Sequence, residues 1–64
     1  MNANIYKNVS ELAKQKNLSI SEIEKRAALA NGTIGKWRES DPKVSSVEAV
    51  AKTLGVTVNR LLKE

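Results

Sequence analysis

The 64-residue chain has no cysteine and no histidine. Disulfide scaffolds, zinc fingers and thiol nucleophiles are thereby excluded, and so is an imidazole general base. An enzyme would have to work with a Ser–Lys pair or two carboxylates, and no spacing in the chain gathers such groups around a cleft. Ser21 and Lys25 stand four residues apart, but that is a common exposed pair on a helix. No glycine loop of the phosphate-binding kind is present. Catalysis, a metal, a cofactor and a small-molecule ligand are therefore not expected. No apolar stretch approaches the ~20 residues of a membrane span. The start, Met1-Asn2-Ala3-Asn4-Ile5-Tyr6-Lys7, lacks the basic end and apolar run of a secretory signal. The absence of cysteine suits a reducing compartment. A cytoplasmic protein without membrane contact is the expectation.

This length allows one small domain, taken as 1–64, whose single core rarely nets more than roughly 3–5 kcal/mol. With neither disulfide nor metal to help, pairing with a second copy is the available reinforcement. Eleven Lys and Arg stand against seven Asp and Glu, a net charge of +4. That balance leans towards a polyanionic partner without identifying one.

The apolar residues recur at helical spacing. Ile5, Val9, Leu12 and Ala13 form the stripe of an amphipathic helix that ends near Lys16-Asn17. Ser19-x-x-Glu22 reads as a capping box and Leu18 with Ile23 as a hydrophobic staple, so a second helix starts there and runs to about Ala27. A third, roughly Asn31 to Arg38, rests on Ile34 and Trp37 and is weakened by Gly32 and Gly35, each by up to ~1 kcal/mol. A segment kept helical despite two glycines implies that something approaches its backbone closely. Ser40-Asp41-Pro42-Lys43 is a loop. Ser45-x-x-Glu48 repeats the capping-box pattern ahead of a fourth helix carrying Val47, Val50, Ala51 and Leu54, which Gly55 stops. Thr57 caps a fifth with Val58, Leu61 and Leu62, and Val56 with Leu61 makes a second staple. No strand-like alternation or internal repeat competes. The chain reads as an all-α domain of five short helices.

Within this pattern, residues 18 to 38 resemble the helix-turn-helix of the Xre/Cro family, the fold class of the lambda-type phage repressors. Leu18-Ser19-x-x-Glu22-Ile23 is similar to the start of its first motif helix, Ala27-Ala28-Leu29-Ala30-Asn31 to its turn, and Thr33-Ile34-x-x-Trp37 to its second helix. Asn31-Gly32-Thr33-Ile34-Gly35-Lys36-Trp37 is particularly similar to small regulators of Gram-positive phages and mobile elements. From Pro42-Lys43-Val44-Ser45 to Leu61-Leu62, the rest resembles the family's fourth and fifth helices, so nearly the whole chain is covered. The resemblance implies a compact five-helix, lambda-repressor-like DNA-binding domain with its helix-turn-helix at helices 2 and 3. It further implies a transcriptional regulator of Cro or repressor type, binding double-stranded DNA as a homodimer on an inverted repeat.

Physical chemistry is compatible with that use. The second helix of such a motif lies in a major groove about 12 Å wide. Ile23, Ala27, Leu29, Ile34 and Trp37 suit its buried side, and Trp37 is expected in the core. Asn31, Gly32, Thr33, Gly35 and Lys36 suit its outer side, since Asn can bond adenine and Lys guanine. The start of the helix would offer N–H groups to a phosphate. By the resemblance, Asn31, Gly32 and Lys36 face bases and Gly35 admits close approach. Ser19, Thr33, Arg38, Ser40 and Lys43 would meet phosphates. Val58, Leu61 and Leu62 would form the dimer face, with Leu61 partly exposed and Leu62 more buried. Tyr6 is expected partly exposed on helix one. Lys25 and Arg26 are explained as well by the helix dipole as by DNA.

Three positions depart from the family pattern. Ile20 replaces a Gln that commonly meets phosphate. Ala28 stands where the turn usually has Gly, and a left-handed backbone there would cost Ala roughly 1 kcal/mol. Ala30 stands where a Ser or Thr usually caps the reading helix, a cap worth about 1 kcal/mol. Asn31 could cap instead, which would leave its side chain less able to read a base. The alternative function is a protein-interaction module on the same fold, an antitoxin or anti-repressor partner. A wide apolar patch around helices four and five would favour it.

Overall fold

Helix follows helix through residues 4–63, the part of the chain that the computed structural model describes. The order is α1 (Asn4–Gln15), α2 (Ile20–Arg26), a 3-10 helix (Gly35–Arg38), α3 (Val44–Leu54) and α4 (Val58–Leu62), with no strand among the described residues. The stripe Ile5, Val9, Leu12 and Ala13 is the buried face of α1. It packs with Ile23, Ile34, Trp37, the α3 residues Val47, Val50, Ala51 and Leu54, and Leu61 of α4 into one core. Trp37 is buried there, as its spacing from Ile34 predicts.

Local chemistry explains where the elements start. Ser19 caps α2 through its hydroxyl, which accepts the Glu22 N–H at 3.0 Å. The Glu22 carboxylate does not complete the box but pairs with Arg26 Nε at 3.3 Å. Thr57 caps α4 in the same way, accepting from the Arg60 N–H at 3.2 Å. Helix α3 departs from the sequence expectation. It begins at Val44 with Lys43 as an N-cap that makes no side-chain bond, so Ser45 lies inside the helix and the Ser45-x-x-Glu48 box does not form. Extended backbone at Lys43 already supplies the carbonyl that accepts the Val47 N–H at 3.0 Å, which opens the helix two residues early.

The first three α-helices end in one kind of turn. Asn17, Ala28 and Gly55 have left-handed φ angles of 57°, 60° and 72°. The next residue's N–H reaches back to a carbonyl five residues earlier: Leu18 to Ala13 at 2.9 Å, Leu29 to Glu24 at 2.8 Å, Val56 to Ala51 at 2.9 Å. These are Schellman turns, and in each the following apolar residue packs against the core. Asn and Gly adopt this backbone readily. Ala28 does so at a cost of about 1 kcal/mol.

Two expectations are corrected. The segment from Asn31 to Arg38 is not a continuous helix: residues 31–34 form a turn, and only Gly35–Arg38 closes into a 3-10 helix. Gly32 sits at φ 90°, outside any right-handed helix, and so blocks one from starting at Asn31. In α4, Leu61 is fully buried while Leu62 is half-buried, the reverse of what the chain end implied. Leu61 is the inward member of the Val56–Leu61 staple, which fixes its direction. Asn8 of α1 holds that end of the chain by donating to the Leu61 carbonyl at 2.7 Å and the Lys63 carbonyl at 2.5 Å.

Candidate nucleic-acid interface

A 3-10 helix has three residues per turn, so its neighbours separate into three faces. Ile34 and Trp37 point inward and anchor the segment in the core. Thr33 and Lys36 open onto a shallow cleft completed by Ser40 and Lys43, with Leu29 and Trp37 along its wall. Gly35 and Arg38 belong to the third face, towards α1. The Arg38 guanidinium carbon lies 5.2 Å from the centre of the half-buried Tyr6 ring, and its Nε donates to the Gly35 carbonyl at 3.2 Å. A second hollow, bounded by Ser21, Glu24, Lys25 and Asn31, meets the first at Leu29.

The structure thus gathers Thr33, Lys36, Ser40 and Lys43 in one place and puts Asn31 next door. Ser19 and Arg38 are not brought into either hollow. Two of the hydroxyls already carry bonds. Ser19 Oγ accepts from Glu22, which leaves its proton available to a phosphate oxygen. Ser40 Oγ donates to the Lys36 carbonyl at 3.3 Å, so its proton is in use.

Glu24 is the residue that the sequence reading missed. Only 3% of it is exposed. Its Oε1 accepts the Gly32 N–H at 3.1 Å and its Oε2 the Ile34 N–H at 2.9 Å, while the Thr33 N–H goes to the Ala30 carbonyl at 3.1 Å. The amides at the head of the segment are therefore taken from within, and the expected N–H site for a phosphate is not there. The same bonds make Glu24 the cap that Ala30 cannot be, so Asn31 does not serve as one and remains exposed. A signal for this existed. Glu24 is four residues from Ile20 and beside Ile23, on the face that α2 buries, and the vacancy at Ala30 called for an acceptor.

The glycines differ in what the fold asks of them. Gly32 needs its positive φ. Gly35 has no such φ, and a Cβ built on it would meet nothing within 4 Å. The fold itself therefore does not require glycine at 35.

No family model matches the chain, and no curated protein matches it. Solved structures do. The N-terminal DNA binding domain of SinR from Bacillus subtilis is 26% identical, over 98% of this chain and 96% of that one, with a TM-score of 0.89. SinR, the master regulator for biofilm formation, in complex with DNA is 26% identical over 92% of this chain and 98% of that one, with a TM-score of 0.83. A hypothetical transcription factor, NHTF from Neisseria, shares the fold at 22% identity and a TM-score of 0.87, over 95% of this chain and 72% of that one.

Proposed function

We propose that the chain is a helix-turn-helix domain of the Xre/Cro type and a transcriptional regulator of Cro or repressor type that reads double-stranded DNA by sequence. The observation that carries this reading is its similarity, over 92% of its length, to a chain solved in complex with DNA. The α2 helix, the Schellman turn at Ala28 and the 3-10 segment form the motif, and the exposed side of that segment enters the major groove. Asn31 and Lys36 read base edges. Gly32 keeps the backbone low enough for the bases to come close, and Gly35, although its face turns towards α1, adds no side chain to bar their approach. Thr33 and Lys43 hold phosphates beside them, and Ser19 meets the backbone from the start of α2. Ser40 shapes the cleft through its bond to Lys36, and Arg38 reaches a phosphate only along the Tyr6 side.

The chain acts as a homodimer. Val58 and Leu62 of α4 are half-buried in the single chain and meet their counterparts, while the fully buried Leu61 supports them from within. Two reading segments then lie about 34–36 Å apart, one turn of duplex, on an inverted repeat. The protein-partner alternative called for a wide apolar patch near the last two helices. Val44, 71% exposed, is the one large hydrophobic standing out among the described residues, which does not make such a patch.

Selection of preferred duplexes from a random library tests the proposal. An inverted repeat with half-sites one turn apart is expected. Recovery of no common sequence would remove it.

A further inference from the structure

We propose that Glu24 is a positioning residue that sets the geometry of the reading segment and, through it, the sequence preference; this rests on the DNA-binding reading above. Glu24 is the one buried charged residue among those described. A carboxylate so placed is tolerated only when hydrogen-bonded. Its two oxygens take amides two residues apart, Gly32 and Ile34. One rigid group on α2 thereby fixes both the height and the rotation of the segment. Between the two amides lies Thr33, with Gly32 at φ 90° before it. Glycine is the residue freest to leave that conformation, so the carboxylate is what holds it there. Asn31 on one side, and Thr33 and Lys36 on the other, take their directions from this clamp, and both Glu24 oxygens are already engaged by the Gly32 and Ile34 amides.

The clamp also explains a substitution of parts. The chain lacks a hydroxyl cap at Ala30, and the acceptor is supplied from the preceding helix instead. A simple electrostatic role for Glu24 makes the opposite prediction from positioning. Removing one negative charge near DNA raises affinity for every duplex alike, whereas losing the clamp removes discrimination between duplexes.

The test compares the wild-type chain with Glu24→Ala, Glu24→Gln and the double variant Glu24→Ala/Ala30→Ser, each checked for folding by thermal unfolding. Fluorescence anisotropy measures binding to the duplex that the wild-type chain selects from a random library and to a scrambled duplex of equal length. Hydrogen exchange reports on the Gly32 and Ile34 amides. We expect Glu24→Ala to lose about tenfold of its preference for the selected duplex, equivalent to about 1.4 kcal/mol, while the scrambled duplex binds as well or better. The Gly32 and Ile34 amides exchange faster, and those in the middle of α3 do not. Glu24→Gln, with one acceptor oxygen, falls between. Ala30→Ser returns part of the preference by restoring a cap.

Equal loss on both duplexes, in step with the unfolded fraction, overturns the proposal and leaves Glu24 a stability residue. Where Glu24→Ala is too unstable to measure, Glu24→Gln is read against the same two outcomes. A wild-type chain that selects no duplex sinks the DNA reading and this proposal together. A wild-type chain that selects a site which Glu24→Ala prefers undiminished sinks the Glu24 role alone.

Discussion

Lys36 and Lys43 line the same cleft, yet they are asked to do different things, and single substitutions separate the two roles. Lys36→Ala should relax the base preference at one half-site position by about 1–3 kcal/mol. Lys43→Ala should weaken binding to all sequences alike and lower the salt slope by about one. Uniform loss in both variants would remove Lys36 from base reading. Gly35 gives a cleaner separation of folding from binding. Its Cβ would meet no neighbour, and alanine is favoured over glycine in helical backbone by up to ~1 kcal/mol. Gly35→Ala is therefore expected to melt at the same or higher temperature while binding the selected duplex more weakly. Unchanged binding would show that nothing comes close to that backbone. At Ala28 the left-handed φ of 60° is a strain that glycine would relieve. Ala28→Gly should stabilise the chain by roughly 0.5–1 kcal/mol in a denaturant titration.

At the scale of elements, α4 shows how a five-residue helix is held. It is too short to stand alone, and its last carbonyls are received by Asn8 of α1. Asn8→Ala leaves those carbonyls without that partner and is expected to destabilise the chain by about 0.5–1.5 kcal/mol in the same titration. Sequence patterns announce α1, α2 and α4 because their signals are local: a stripe at spacing three and four, a Ser or Thr cap, a staple. The turns at Asn17 and Gly55 are equally local. The start of α3 is not, since extended backbone at Lys43 does the work assigned to Ser45. The segment from Asn31 to Arg38 is legible in the sequence as a candidate site and illegible as a shape. Its small polar outer residues and its Ile34–Trp37 anchor are visible in the chain. The bend at Gly32 depends on a carboxylate eight residues earlier that becomes a neighbour only when α2 packs.

For the whole molecule, the net charge of +4 resolves into a few placed cations. Lys36 and Lys43 border the cleft, Lys25 borders the hollow beside Asn31, and Arg38 turns to Tyr6 on another side. Affinity should therefore depend on salt through a small number of phosphate contacts, each adding about 0.9 to the slope of log K against log salt. A core of this size leaves little stability to spare, and in the proposed homodimer pairing through α4 would add to it. The central claim is that the 3-10 segment distinguishes one DNA sequence from another. An anisotropy titration at low salt, with the selected duplex against a scrambled one of equal length, measures it directly. The account predicts tight binding to the first, weaker salt-sensitive binding to the second, and loss of the difference in Lys36→Ala. No binding to either duplex, or equal binding to both by the wild-type chain, would contradict it.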